Sequence, residues 1–358
     1  LRPPAQVFAF VGAGKGLSDQ QFEVAQQMGI NVRYATQGTK LLQDDRGRVS
    51  GLQVLGPEGF EDIHGRSVVL AAGGFEANAE MRCRYLGPGW ETVKVRGIPY
   101  NTGDAIKMAL DVGAQSHGHW SSCHAVAWDM NAPAFGDRVI TELFQKHSYP
   151  FGLIVNLDGE RFLDEGADFR NYTYVTYGRA LMTQPQGLAF QIFDNKVRHL
   201  LRDEYWIPQA TMFEANSLEE LAAHLDIDVE GLVNTVKEYN AAVQTDVTYN
   251  PTIKDGRGTV GLAVNKTNWA EIIDTPPYLG WAVTTGISFT FGGVKINTRG
   301  QVVTTAQDPI PGLYAAGEMV GGLFYYNYPG GSGLSAGMVF GRLAGISAAQ
   351  EAMLLKDV

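Results

Sequence analysis

The stretch that most restricts the fold is residues 310–345, IPGLYAAGEMVGGLFYYNYPGGSGLSAGMVFGRLAG. Residues 313–316 form a short apolar run with the length of a buried strand. The run stops at Ala316-Gly317-Glu318. A loop rich in glycine and tyrosine follows, and Gly330-Gly331-Ser332-Gly333 opens a helix expected over 334–349. A strand, a turn and a helix start in this order belong to an open α/β sheet, where ligands sit beyond strand ends and at helix N-termini. Glu318 can accept hydrogen bonds from sugar-type hydroxyls. The free N–H groups of Gly333 and Leu334 can face a carbonyl or an electron-rich ring. The glycines let backbone approach a flat ligand.

This order of residues resembles the flavin-binding segment of the fumarate reductase and succinate dehydrogenase flavoprotein family, in which a strand ending in Ala-Gly-Glu precedes the helix start beneath the isoalloxazine ring. The form Tyr328-Pro329-Gly330-Gly331-Ser332-Gly333 is similar to two branches of it, the FAD-dependent tricarballylate dehydrogenases and the 3-ketosteroid Δ1-dehydrogenases. The phrases HSYPFGLIVN, DEGADFRNYTY and NYPGGSGL resemble the first branch. The resemblance implies an α/β fold with FAD as cofactor. The FAD-binding domain would be discontinuous, residues 1–116 and 279–358, with an inserted α+β capping and substrate domain at 117–278.

A chain of 358 residues can bury a core large enough for two domains. A formal charge of −10 argues against a nucleic-acid partner. Cys83 and Cys123 form no C-x-x-C pair, which suits reduced thiols and a cytoplasmic setting. No apolar run is long enough to span a bilayer and no signal peptide is visible. The start, Leu1-Arg2-Pro3-Pro4, reads like the interior of a longer chain. A complete relative would begin with a pyrophosphate-binding strand–turn–helix unit, at least about 30 residues long, that is expected to be missing here.

Gly12-Ala13-Gly14-Lys15-Gly16-Leu17 invites a dinucleotide fingerprint, but Leu17 stands where the third glycine is needed. An ordinary loop-to-helix turn is expected instead. Ser18 would cap it with Gln21 completing a capping box, Phe22, Ala25 and Met28 would face inward, and Gly29 would end it. Strands are expected at 31–34, 39–43, 49–55, 61–63 and 67–72. Thr102 is expected to cap a helix over 100–113, with Asp104 in its first turn and Ala105, Met108 and Ala109 inward. A capping box at 217–220 and an amphipathic run at 229–243 read as scaffold helices. His117, His119, Cys123 and His124 crowd together, but no carboxylate lies at matching spacing and no metal site is expected.

The remaining assignments follow from the resemblance. FAD would contact Ala72, Gly73, Thr102, Gly103, Asp104, Gly317, Glu318, Ser332, Gly333 and Leu334. By residues alone, the Gly73-Gly74 strand exit and the Thr102-Gly103-Asp104 helix start have structural readings too. His124 falls where fumarate reductases hold a substrate carboxylate; a satisfied core histidine is the alternative. Glu165 and Arg170 resemble a proton relay with one additional residue between its members; a structural ion pair is the alternative. The segment LAFQIFDNKVRHLL at 188–201 matches the stretch that carries the catalytic arginine, which puts Arg198 in that role against a plain helix-surface arginine. Phe289 and Tyr328 replace the histidine and arginine that clamp dicarboxylates in fumarate reductases. Tyr328 becomes a candidate acid or base, and Ser288, Thr290 and Tyr326 are candidate pocket residues.

The implied reaction is oxidation of a saturated carbon–carbon bond next to a carboxylate, tricarballylate to cis-aconitate. Electrons would pass to a separate, membrane-associated acceptor protein. A 3-ketosteroid Δ1-dehydrogenase-like or fumarate reductase-like enzyme is the alternative within flavoenzymes. A cofactor-free, non-catalytic C-terminal fragment is the alternative outside them.

Overall fold

The computed structural model describes residues 10–355. Helix α1 (Ala13–Gln27) comes first. Strands β1 (Gln37–Gln43), β2 (Val49–Gly56) and β3 (Gly59–His64) make an antiparallel meander. Its first turn is set by the Asp44 carboxylate, which accepts from the N–H groups of Arg46 and Arg48. Next come β4 (Val68–Leu70), α2 (Ala79–Leu86), β5 (Lys94–Val95) and α3 (Asp104–Asp111). The central part holds β6 (Ser116–Asp129), β7 (Leu153–Val155), α4 (Arg170–Ala180), β8 (Ala189–Phe193), β9 (Met212–Ala215), α5 (Leu218–Leu225) and α6 (Val229–Ala242). The chain closes with β10 (Tyr278–Val294), β11 (Gln301–Val303), β12 (Pro309–Ala315) and α7 (Ser332–Leu354).

β10 is the spine. It is antiparallel to β6, β8 and β9 and parallel to β5, and β7 extends the sheet beyond β8. β11, β12 and β4 form a separate sheet in which β12 and β4 run parallel. The cores follow this division. One joins Leu41, Leu70, Phe75 and Ile106 to Val294, Val302, Leu313 and Met319, so segments far apart in sequence share it. Another lies wholly within 153–282 and packs α5 on α6 through Leu221, Leu225, Leu232, Val236 and Tyr239. Among the described residues no helix is long and apolar enough to cross a membrane.

Several local expectations need correction. α1 starts at Ala13, not Ser18, because Gly12 adopts φ 76° and the Gly16 N–H already bonds its carbonyl at 2.9 Å. Ser18 lies inside the helix, and Phe22 and Met28 are exposed. Residues 31–34 pair with no strand among the described residues. α3 is capped by Gly103 at φ 80°, while the Thr102 hydroxyl donates to Asp104 at 2.9 Å. α7 runs beyond both expected ends.

The scaffold helix α5 begins as its sequence signals: the Ser217 hydroxyl accepts from the Glu220 N–H at 3.1 Å. Ser217→Ala is expected to lower stability by about 1 kcal/mol in urea unfolding, as loss of a helix cap does. No measurable change would mean that water replaces the cap.

Candidate active site

The site is built from two sides. On the first, β12 delivers the chain to Gly317 (φ 78°) and a single 3-10 turn, Gly317–Met319. Glu318 Oε1 accepts from the Thr290 N–H at 2.7 Å and the Thr290 hydroxyl at 3.2 Å. Across from it the buried Glu76 carboxyl accepts from Asn101 Nδ2 at 2.5 Å. Its other oxygen has no conventional donor and faces the Glu318 carboxyl. Two acceptors face each other stably only with a proton between them. Burial, followed by the charge of Glu76, pushes Glu318 well above the ordinary carboxyl range. Burial also raises Glu76. Gly74 lies against this pair so closely that a Cβ would fall 2.1 Å from Thr290 Oγ1 and 2.3 Å from Glu318 Oε1.

Nearby, Gly331 (φ 84°) caps α7, and the Gly333 N–H donates to Tyr328 Oη at 2.9 Å. A cleft of about 1170 Å³ runs from the β1–β2 meander past the end of β4 to the start of α3. Ala72, Thr102 and Asp104 all line it.

On the second side, His124 of β6 stands opposite Phe289 of β10. Its Nε2 is 3.1 Å from Tyr174 Oη on α4, and its ring meets the Tyr328 ring edge-on at 4.6 Å. Phe289 and Phe324 flank Tyr328 at 5.7 and 4.9 Å. Tyr174 also packs against His147, whose Nδ1 is 3.5 Å from Arg170 Nη1. Arginine can only donate, so His147 Nδ1 accepts and the proton rests on Nε2. That Nε2 is buried and unpartnered, as are His124 Nδ1 and Arg96 Nε. Glu204 accepts from the His147 N–H at 2.9 Å, from Arg202 Nε at 3.0 Å and from Gln145 Nε2 at 3.3 Å.

Both imidazoles are neutral at pH 7. Burial, followed by the Arg96 charge, takes His124 down to about 3. Burial and then the charges of Arg96, Arg170 and Arg202 hold His147 well below its usual range. Burial raises the Tyr174 phenol.

The structure thus brings His124, Arg170 and Tyr328 together and leaves other expected residues elsewhere. Arg198 is on the surface, paired with Glu214 at 3.0 Å and lying over Trp206. Glu165 is fully buried but taken by Arg161 at 2.6 Å, four residues away, and not by Arg170. Thr290 turns toward Glu318 and the Phe75 N–H. The Ser288 hydroxyl accepts from Arg96 at 2.7 Å. Tyr326 is exposed beside His119 and Tyr325. Sequence reasoning missed Arg96, His147, Tyr174 and Glu204. His147 and Tyr174 lie inside the quoted phrases, but Arg96 reads as one more polar residue alternating with Val93 and Val95. Among the described residues no group of three His, Cys, Asp or Glu could hold a metal ion.

The family model described as "FAD binding domain" matches residues 4–334, and the chain belongs to that family. It is 31% identical over 344 residues to the probable fumarate reductase Ifc3 of Shewanella frigidimarina, covering 95% of this chain and 54% of that protein. It is 28% identical over 371 residues to a 3-oxosteroid 1-dehydrogenase of Mycobacterium tuberculosis, covering 96% and 64%. Among solved structures, the open conformation of a flavocytochrome c3 fumarate reductase superposes with a TM-score of 0.75 at 29% identity, covering 96% of this chain and 57% of that one. The α/β architecture is that of this family. The chain spans about half the length of the fumarate reductase relatives it matches.

FAD is the cofactor of the family, and the residues present fit it. The cleft beside β4, lined by Ala72, Thr102 and Asp104, is open to an extended ligand, and α7 offers its N-terminus to a flat ring.

Proposed function

We propose that this chain carries the substrate site of an FAD-dependent dehydrogenase that oxidises a saturated carbon–carbon bond next to a carboxylate, with tricarballylate as substrate and cis-aconitate as product. The observation that carries this reading is Arg170, a guanidinium with no carboxylate partner among the described residues, set against His147 in a cluster with unpartnered buried imidazole nitrogens. A guanidinium keeps its charge, and such a cluster is suited to an anion. FAD supplies the two-electron acceptor when bound. Arg170 binds a substrate carboxylate, with His124 and His147 as neutral hydrogen-bond partners. Tyr328 Oη takes the proton from substrate carbon. In that step Tyr328 acts as the phenolate and ends as the neutral phenol, and the Gly333 N–H and the α7 N-terminus face the oxygen that bears the negative charge before the transfer. Electrons leave through a separate redox protein. The division at 1–116, 117–278 and 279–358 is part of the same proposal.

One observation favours a second reading. Phe289 and Phe324 give Tyr328 an apolar surround, which suits a ketosteroid as well as a carboxylate.

The deciding experiment is FAD titration of the purified chain, then turnover with tricarballylate and with a 3-ketosteroid, using an artificial electron acceptor. Turnover of the steroid alone would replace the carboxylate reading. Within that assay, Arg170→Ala is expected to lower kcat/KM for tricarballylate about 10- to 100-fold, and Arg198→Ala less than about threefold, as for a surface ion pair. A loss at Arg198 as large as that at Arg170 would return the role to Arg198.

A further inference from the structure

Arg96 follows β5, and its N–H donates to the Ile287 carbonyl at 2.9 Å in the parallel pairing with β10. Its side chain lies over the Trp128 ring at 4.8 Å. Nη1 donates to Ser288 Oγ at 2.7 Å and Nη2 to Gln145 Oε1 at 3.4 Å. Nε is buried with no partner among the described residues. All these neighbours are neutral. Glu142 and Glu204 act on Arg96 only through their fields, and burial works against its charge. A desolvated guanidinium without a counter-ion is costly unless an anion completes it. Its planar fork is suited to a carboxylate.

The surroundings orient this group deliberately. Glu204 accepts from Gln145 Nε2, which turns the amide oxygen of Gln145 toward Arg96. The same Glu204 carboxylate accepts from the His147 N–H and pairs with Arg202. One buried acid therefore fixes Arg96 and His147 together. Arg170 Nη1 lies 3.5 Å from His147 Nδ1, and Arg96 Nη2 bonds Gln145, two residues before His147, so the two guanidiniums approach one stretch of chain from separate segments.

We propose that Arg96 is a second carboxylate anchor, so that the substrate carries at least two carboxylates, one for Arg170 and one for Arg96. The proposal rests on the carboxylate reading above and names the residue that would hold a second carboxylate. Arg96 is a specificity-determining residue, with Ser288, Gln145 and Glu204 as the groups that position it.

The test is calorimetric binding of tricarballylate and of butyrate, a monocarboxylate, to the FAD-supplemented chain and to Arg96→Met. The expected result is tighter binding of tricarballylate than of butyrate by the unsubstituted chain. Arg96→Met should weaken tricarballylate about 10- to 100-fold and butyrate by less than about threefold, an effect below about half a power of ten. Equal loss for both ligands would assign Arg96 a structural role, and unchanged tricarballylate affinity would remove it from the site; either result overturns the proposal and leaves the carboxylate reading standing. Absence of carboxylate binding by the unsubstituted chain would overturn the carboxylate reading and the proposal with it. If Arg96→Met fails to fold, Arg96→Lys decides. It keeps the charge and loses the fork, so selective weakening of tricarballylate supports the anchor and full affinity overturns it.

Discussion

On the proposed reading, replacing Tyr328 with Phe in the FAD-loaded chain is expected to lower kcat for tricarballylate oxidation by about 10²- to 10⁴-fold, the span of a lost acid or base, with KM moving little. The ring packing survives the change, because Phe289, Phe324 and His124 contact the ring itself. The structural cost is one hydrogen bond from the Gly333 N–H, about 1 kcal/mol. The expected rate loss corresponds to about 3–5.5 kcal/mol in the barrier. The two magnitudes separate a chemical role from a packing role. Steady-state kinetics with a parallel unfolding curve makes the comparison. A kcat within about fivefold of the unsubstituted chain, less than about 1 kcal/mol, would leave Tyr328 as a wall of the pocket and turn attention to Tyr174 and His124.

The cofactor side was legible in the sequence because its signals are local. An apolar run, Ala-Gly-Glu and a glycine-rich helix start occupy adjacent positions, and β12, the turn and α7 appear in that order. The α5 cap and the buried face of α6 were legible for the same reason. The substrate side was less so, since its members meet only through β10 and its neighbours. Arg96, His147 and Tyr174 come from three segments with no spacing rule between them. Competition between partners is equally invisible in one dimension. Glu165 reads as a partner for Arg170, yet Arg161 reaches it first; Arg198 reads as catalytic, yet Glu214 and Trp206 hold it at the surface. The start of α1 was missed because a left-handed Gly12 nucleates the helix before the more obvious Ser18 cap.

Glu76 is the deepest of these hidden residues. It sits in a loop-like stretch after Phe75 and becomes buried only because Asn101 and Glu318 arrive from elsewhere. Its pairing with Glu318 is expected to make the stability of the chain fall as pH rises. Both carboxyls have folded pKa values above the 4.5 of an ordinary glutamate. The folded state therefore holds the shared proton more tightly than the unfolded state. The stabilisation is complete below about pH 4.5 and is lost as pH rises through the folded values, at about 1.4 kcal/mol per pH unit for each proton released. The Arg82 charge, the Asn101 amide and the Thr290 donors favour ionisation, so one carboxyl takes the negative charge while the other keeps the proton. Glu318→Gln supplies a permanent amide in place of the protonated acid. It should flatten the fall in urea stability that sets in above about pH 4.5, the ordinary carboxyl pKa. Buried His124 and His147 act in the opposite sense, destabilising the fold as acid protonates them, so the difference between variant and unsubstituted chain isolates the carboxyl pair. Parallel stability–pH curves for the two proteins would mean that no proton is held between Glu76 and Glu318. A flattened curve would place a singly charged, proton-sharing pair beside the strand end where the cofactor's hydroxyls are expected, and would make pH a handle on cofactor retention as well as on folding.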